Sequence, residues 1–378
     1  MTAYFDSGFA VREPMWHGGG NILDEYPTDW ADARTKAGLG WEPVELKPFF
    51  LWPFAEFLCP SCFGTFGQQH LNECPFSGKI GSEILPAGCI VTPDGILQPD
   101  PGHKGIARKD THLVLGVRSD EYSTIYHGNT DDDGNRVSAK DGRASMEEII
   151  DAFTGADGAL KFETAGSCRE GRQVWALLCL DEPFHVPGDE SATFPFLALL
   201  NNHAGGACKA VATQVRVVCA NTFQMASDEG DRTGQQFTFR HVGDVAGRIE
   251  EAKATIAGLR GEREAYLALA EELSKLNITD PQVEAYLTDF LPSPRENGEQ
   301  CSDRVHDNVE RARKTFRHIY QDSVTTDGIR GNGYGLLQAS TEYLDHVRGY
   351  RNRDTYLGRS VLGVEPIKQR ALQLIRSL

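Results

Sequence analysis

The sequence predicts an α+β protein: a mainly antiparallel sheet with covering helices, a small module bearing cysteine and histidine, and a helical C-terminal region. Three observations predict it. Apolar, β-rich runs recur between Thr111 and His241, separated by turn-forming residues. After Asp244 the apolar positions fall at helical spacing: Val245, Ile249, Ala252, Ile256 and Leu259 share one stripe, continued by Tyr266, Leu269 and Leu273. Ahead of both stands the pattern C-x2-C-x7-H-x3-C, formed by Cys59, Cys62, His70 and Cys74. The 378 residues divide accordingly into an N-terminal arm (1–50), the small module (51–80), an α+β core (81–243) and the helical region (244–378).

The arm is rich in Gly, Pro and Trp and reads as an aromatic extension packed on the main domain. Its Trp16-His17-Gly18-Gly19-Gly20 run permits unusual backbone angles but lacks the Lys-Ser/Thr of a phosphate loop, so His17 reads as a hydrogen-bonded structural residue. Thr28–Lys36 is a candidate capped helix. In the module, a C-x2-C turn presents two sulfurs to one ion, and H-x3-C places its ligands one helical turn apart on one face. Thiolate and imidazole in that set suit tetrahedral zinc. We expect a zinc-knuckle-like module in which Cys59, Cys62, His70 and Cys74 hold one Zn; a small hydrophobic elbow with unbonded cysteines is the competing reading.

In the core, Thr111–Val117 and Tyr122–His127 read as strands, and Asp131-Asp132-Asp133-Gly134-Asn135 as an exposed turn that lacks the alternating ligands and distal Glu of a calcium loop. Ser145 with Glu148 makes a capping box for a helix over Met146–Phe153. Phe162–Ser167, Gln173–Leu180, Phe184–Val186, Phe194–Asn201, Ala210–Cys219 and Phe237–His241 are further strands. Thr111–Val117, Gln173–Leu180 and Ala210–Cys219 are expected in one sheet, with Trp175, Val215 and Val217 buried. Near the C-terminus, Leu337, Ser340, Tyr343 and Leu344 lie at helical spacing and read as a packing face.

Composition narrows the functions. No apolar run approaches the roughly 20 residues that span a bilayer, and Met1–Arg12 lacks a secretory pattern. Of nine cysteines, three belong to the metal pattern, and Cys179, Cys208 and Cys219 lie in apolar runs as buried thiols, which together suggest a cytoplasmic protein. The net charge of −16 is uneven: residues 301–378 hold 13 Lys and Arg against nine Asp and Glu, leaving 25 against 45 elsewhere. So acidic a body argues against broad duplex binding, which depends on phosphate neutralisation.

Two stretches gather polar chemistry. Asn201, Asn202 and His203, followed by Arg216 and Asn221, put amides, an imidazole and a guanidinium beside two apolar strands, a set suited to a base, a phosphate or a small substrate, or else to completing turns. Arg348, Tyr350, Arg351, Arg353, Tyr356 and Arg359 interleave cations with rings, as backbone-and-stacking contact with single strands requires; arginines paired with the acidic body are the competing reading. No motif specifies an enzyme. Cys219 has no basic neighbour to activate it, and no G-x-S-x-G, H-E-x-x-H or zinc-deaminase pattern occurs.

Several stretches carry a family resemblance: Trp16-His17-Gly18, Leu115–Tyr122, Phe162–Ser167, Gly171–Ala176, Leu200–Gly206, Val215–Thr222 and Thr341–His346. Together they resemble the "phage/plasmid-like" family of unknown function, found on bacteriophages, prophages and plasmids. The family pattern usually has Ser at the place of Asn202 and Asp at that of Ala204, and the Cys59–Cys74 element looks like an insertion. The resemblance implies a mobile-element protein in a host cytoplasm and carries over no catalytic residue.

The resulting expectation is an accessory protein that touches single-stranded or processed DNA, or a DNA-bound protein, without a membrane and with homo-oligomerisation left open. The alternative is a nonenzymatic factor that engages a host or phage protein; a third reading is an enzyme built around 201–221. For the module, purified protein should retain about one tightly held equivalent of zinc, and Cys62→Ser should loosen residues 52–78 while leaving the main domain folded. Metal analysis giving under about a tenth of an equivalent would remove the site.

Overall fold

A nine-stranded sheet carries the molecule, and its strands come from both the first residues and the middle of the chain. The computed structural model describes residues 6–11, 20–52, 90–92, 95–131, 133–138, 143–154, 161–179, 182–205, 207–216, 221–223, 236–241, 247, 262–296, 299–300, 302–348 and 366–378. In chain order the elements begin with β1 (Ser7–Val11), β2 (Asn21–Leu23), α1 (Trp30–Lys36), β3 (Pro43–Leu46), β4 (Phe49–Trp52), β5 (Ile90–Thr92), β6 (Gly95–Pro99), β7 (His103–Arg108) and β8 (Val114–Ser119). The core continues with β9 (Ile125–Tyr126), β10 (Ala144–Ser145), α2 (Met146–Thr154), β11 (Lys161–Cys168), β12 (Gln173–Cys179), β13 (Phe184–His185), β14 (Ala192–Asn202), β15 (Ala207–Arg216), β16 (Asn221–Phe223) and β17 (Gln236–Arg240). The helical region holds α3 (Glu262–Ser274), α4 (Asp280–Phe290), α5 (Asp303–Asp322), α6 (Gly333–Glu342), a π-helical turn (Tyr343–Val347) and α7 (Pro366–Arg376).

The main sheet runs β16-β15-β14-β12-β11-β1-β2, with β13 beside β14 and β17 beside β15. All its pairings are antiparallel except β1 with β2. Two local features keep the apolar pattern in register. A bulge between Phe162 and Thr164 lets Phe162 and Ala165 face the same core although their positions differ by three, an odd step that a regular strand would send to opposite faces. Pro195, which has no N–H to give a ladder, sits where the partner of β14 changes from β13 to β12. Gly166 is required by close approach: a Cβ there would lie 2.4 Å from Ser7 O and 2.6 Å from the Trp175 ring.

Most expected elements form with shifted ends. The first helix begins at Trp30 because Asp29 caps it, accepting from Asp32 N at 2.8 Å. Ser145 caps α2 through Glu148 N at 2.9 Å. The aspartate turn is held by Asp131, which accepts from Asp133 N, Asn135 N and the Arg143 guanidinium at 3.1, 2.8 and 2.7 Å. Trp175 is buried. Three expectations change. Val114–Ser119 leaves the main sheet, because the short turn after Arg108, with His112 at φ 58°, closes a local hairpin that forms the sheet β3-β7-β8. Only Ile125–Tyr126 of the expected Tyr122–His127 strand is extended in a ladder, paired in parallel with β10. The segment expected as an arm supplies β1, β2, α1 and β3, so its described residues are built into the core. Val217, Cys219, Cys59, Cys62, His70, Cys74 and the stripe residues Val245, Ile249, Ala252, Ile256 and Leu259 lie outside the described residues.

Two apolar cores result. One lies between the sheet and α1, α2 and the β3-β7-β8 layer, with Phe9, Trp30, Trp41, Ile149, Val174, Leu178 and Leu199 at its centre. The other joins the C-terminal helices around Tyr266, Tyr286, Phe316, Leu336 and Leu344, and reaches the sheet through Phe184 and Val186. Inside the second core Lys368 Nζ contacts Asp345 Oδ1 and Oδ2 at 2.7 and 2.9 Å, with the two side chains only 4% and 2% exposed. This ion pair ties α7 to the π-helical turn. Removing one partner strands the other charge in the interior, so Lys368→Ala should cost about 3–5 kcal/mol in urea unfolding, and Lys368→Met with Asp345→Leu should recover most of it. A loss under about 1 kcal/mol would mean that solvent screens the pair.

Candidate functional site

β14 ends at Asn202, and the turn that follows, opened by Gly205 at φ 100°, places His203 beneath the β3-β7-β8 layer. The amide of His203 donates to Arg172 O at 2.8 Å, Tyr122 Oη donates to Asn202 O at 3.0 Å, and Ala204 N donates to Asn202 Oδ1 at 3.1 Å. Asn201 and His203 are fully buried. The other two members of the expected polar cluster go elsewhere. Arg216 pairs with Asn221 between β15 and β16 and stands opposite Thr193, at the far end of the β14–β15 hairpin. Nine strand steps lead from Thr193 to Asn202, or roughly 30 Å at about 3.3 Å per residue. The structure therefore unites Asn201, Asn202 and His203 and separates them from Arg216 and Asn221.

The imidazole that His203 does meet is His127, 76 residues earlier in the chain. Their Nε2 atoms are 3.0 Å apart. His127 is clamped from all sides: its ring Nδ1 donates to Trp41 O at 2.8 Å, its backbone N–H donates to Glu42 at 2.8 Å, and its carbonyl accepts from the Trp30 indole at 2.6 Å. Glu42 also accepts from Gly128 N at 3.0 Å and pairs with Arg34. Trp41 packs edge-on against the His127 ring, with centroids 4.4 Å apart. A third imidazole, His241, stacks on Tyr122 at 4.5 Å and bonds Ser123 O through Nδ1 at 3.0 Å.

The hydrogen bonds fix the protons. A carbonyl partner requires a proton on His127 Nδ1, so in the neutral ring Nε2 is bare and must accept from His203 Nε2–H. His203 Nδ1 is then a bare acceptor, buried without a partner, as is Asn201 Oδ1. Asn201 Nδ2 lies 3.4 Å from both His203 Nε2 and Ile125 O. Burial drives the imidazole pKa values down, to about 3 for His127 and about 4 for His241. His203 falls well below its usual value through burial, with the neighbouring His127 and His241 adding to the effect. Burial also pushes the Cys208 thiol up to about 12, in keeping with an inert core cysteine.

Of the arginine–tyrosine cluster, Arg348 is described: it is exposed and caps the π-helical turn, its N–H donating to Tyr343 O at 2.7 Å. Tyr350, Arg351, Arg353, Tyr356 and Arg359 lie outside the described residues. Among the described residues no group of three or more His, Cys, Asp or Glu is placed to hold a metal ion, and no helix is long and apolar enough to cross a membrane.

The three imidazoles make a pH prediction. Their folded pKa values are depressed, so the unfolded chain binds more protons; stability is full above about pH 6.5 and is lost as pH falls towards the folded values. Between pH 7.5 and 5.5 the three together should cost about 4 kcal/mol in urea unfolding, near 1.4 kcal/mol each. A change under about 1 kcal/mol would show that these rings are not held neutral by the fold.

The geometry can be set beside known proteins. No curated protein and no solved structure matches the chain. A family model described as "Domain of unknown function (DUF932)" matches residues 143–362, which include β11, β12, β14 and β15, the Asn201–His203 turn, α6 and Arg348. That span covers more than half of the sequence, and the protein therefore belongs to the DUF932 family.

Proposed function

We propose that this DUF932 protein is a nonenzymatic mobile-element accessory protein that contacts single-stranded or processed DNA through Arg348, Tyr350, Arg351, Arg353, Tyr356 and Arg359, aided by a zinc module of Cys59, Cys62, His70 and Cys74. The observation that carries the reading is the placement of Arg348. It stands exposed at the end of the π-helical turn, at the head of the arginine–tyrosine run. The buried Lys368–Asp345 pair fastens the elements on both sides of that run, α7 and the π-helical turn, to one another. Phosphate contact by arginine with stacking on tyrosine suits a single strand, and the acidic remainder of the chain confines the contact to this segment. Asn201 and His203 are sealed from solvent and give no surface at which a substrate would meet them.

A second reading, a factor that engages a host or phage protein, is favoured by Val114 and Val117 on β8 and Leu46 on β3, apolar side chains left 42–48% exposed on one small sheet. Titration of a labelled single strand over a range of salt separates the two. Arg351→Ala with Arg353→Ala should flatten the slope of log affinity against log salt by about 1.4, at about 0.7 per phosphate contact. Tyr350→Ala or Tyr356→Ala should weaken binding by about 1–3 kcal/mol and leave the slope unchanged. No binding by the intact protein at low salt would overturn the nucleic-acid reading in favour of the protein-interaction one.

A further inference from the structure

We infer that His127, His203 and Asn201 form a buried site for one divalent transition-metal cation of the zinc class, with the two Nε2 atoms and the Asn201 side-chain oxygen as donors. The site is separate from the cysteine module and independent of the DNA reading. Three observations converge on it.

The first is spacing. The two Nε2 atoms are 3.0 Å apart, and the Asn201 amide lies 3.4 Å from His203 Nε2. Zinc bound to nitrogen at about 2.0–2.1 Å in a tetrahedral set holds neighbouring donors about 3.3 Å from each other. Both separations thus approximate an edge of one coordination tetrahedron. The second is orientation. His127 donates its other ring N–H to a backbone carbonyl, Trp41 O, at 2.8 Å, the outer contact that fixes a metal-binding imidazole in its ligating tautomer.

The third is the hydrogen bonding that the cluster cannot complete alone. With His203 Nε2–H given to His127, the Asn201 nitrogen meets a donor, while Asn201 Oδ1 is fully buried without a partner. Amide oxygen and nitrogen are exchanged by a half-turn of the side chain. That turn brings Oδ1 to the position 3.4 Å from His203 Nε2, at the loss of the 3.4 Å contact of Nδ2 with Ile125 O. A cation in place of the shared proton then takes a lone pair from each Nε2 and one from Oδ1. The single ring proton of His203 moves from Nε2 to Nδ1, so the ring stays neutral and no net proton is lost. Two imidazoles and an amide, with no third His, Cys, Asp or Glu among the described residues, favour zinc, cobalt, nickel or copper over magnesium and calcium, and bind more weakly than a thiolate set.

The test uses the full-length chain with Cys62→Ser and Cys74→Ser, which disable the cysteine set. It should still bind about one equivalent of zinc or cobalt in equilibrium dialysis, and zinc should raise its Tm. Cobalt should give the weak visible bands of a nitrogen–oxygen site without the intense near-ultraviolet absorption of thiolate ligation. Adding His203→Gln should abolish binding and the Tm response. Asn201→Asp, which exchanges the amide for a stronger carboxylate donor, should tighten zinc about tenfold or more and enlarge the Tm rise. The inference is overturned if the cysteine-disabled chain binds under about a tenth of an equivalent, or if His203→Gln folds and binds as before. If His203→Gln does not fold, Asn201→Asp decides: a zinc-induced Tm rise no larger than in its parent overturns the inference.

Discussion

The carboxylate of Glu42, largely buried where α1, β3 and the loop after β9 converge, is the contact on which the surrounding architecture turns. It accepts the backbone N–H groups of His127 and Gly128 and pairs with Arg34 on α1. Burial raises the pKa of this carboxyl, and the two amides and the guanidinium oppose that rise by favouring the charged form. The neighbouring residue, Trp41, gives its carbonyl to the His127 ring and its indole face to the Arg108 guanidinium at 4.3 Å. One helix, one small sheet and one loop are thereby locked together. The position of His127, and through it the meeting with His203, follows from that lock.

Much of the sheet was legible because strand signals are local. Gln173–Cys179 and Ala192–Asn202 announce themselves as near-continuous apolar runs, as strands covered on both faces should. The packing face of α6, with Leu337 and Ser340, was readable from helical spacing for the same reason. Partner choice was not. Val114–Ser119 has the composition of a main-sheet strand, yet the hairpin turn after Arg108 pairs it locally. His127 carries no motif, and its partner arises from a tertiary contact across 76 residues. The polar stretch 201–221 looked like one cluster because its members are close in sequence. A ten-residue strand, however, carries the chain the full length of the hairpin before Arg216 is reached, so nearness along the chain became distance in space.

The histidines that meet in the sheet layer are sealed, and they are held by aromatic and backbone groups together with the Glu42 carboxylate behind His127. Among the described residues the C-terminal helices carry exposed ion pairs, such as Arg317 with Glu284 and Arg376 with Glu272, and one deeply buried pair, Lys368 with Asp345, that fixes α7. Exposed pairs of this kind contribute little to stability. The helical region therefore depends on its aromatic core, with Tyr286, Phe290 and Phe316 in mutual contact, and on the Lys368–Asp345 tie.

The place of β1 has a consequence for how the chain is made. This strand pairs with β11, so that Ser7 faces Ser167 across 160 residues of intervening chain. During synthesis at about 5–20 residues per second, the first strand emerges roughly 8–30 s before its main partner exists. Until then Phe9, Ala10 and Val11, which end fully covered, present an apolar edge that only β2 can pair. Closing so long a loop also delays folding, because its entropy must be lost before the contact is gained. The N-terminal strand is thus a stave made early and fitted only once β11 exists, and a nascent chain stalled short of β11 would offer chaperones, or other nascent chains, a ready strand to bind.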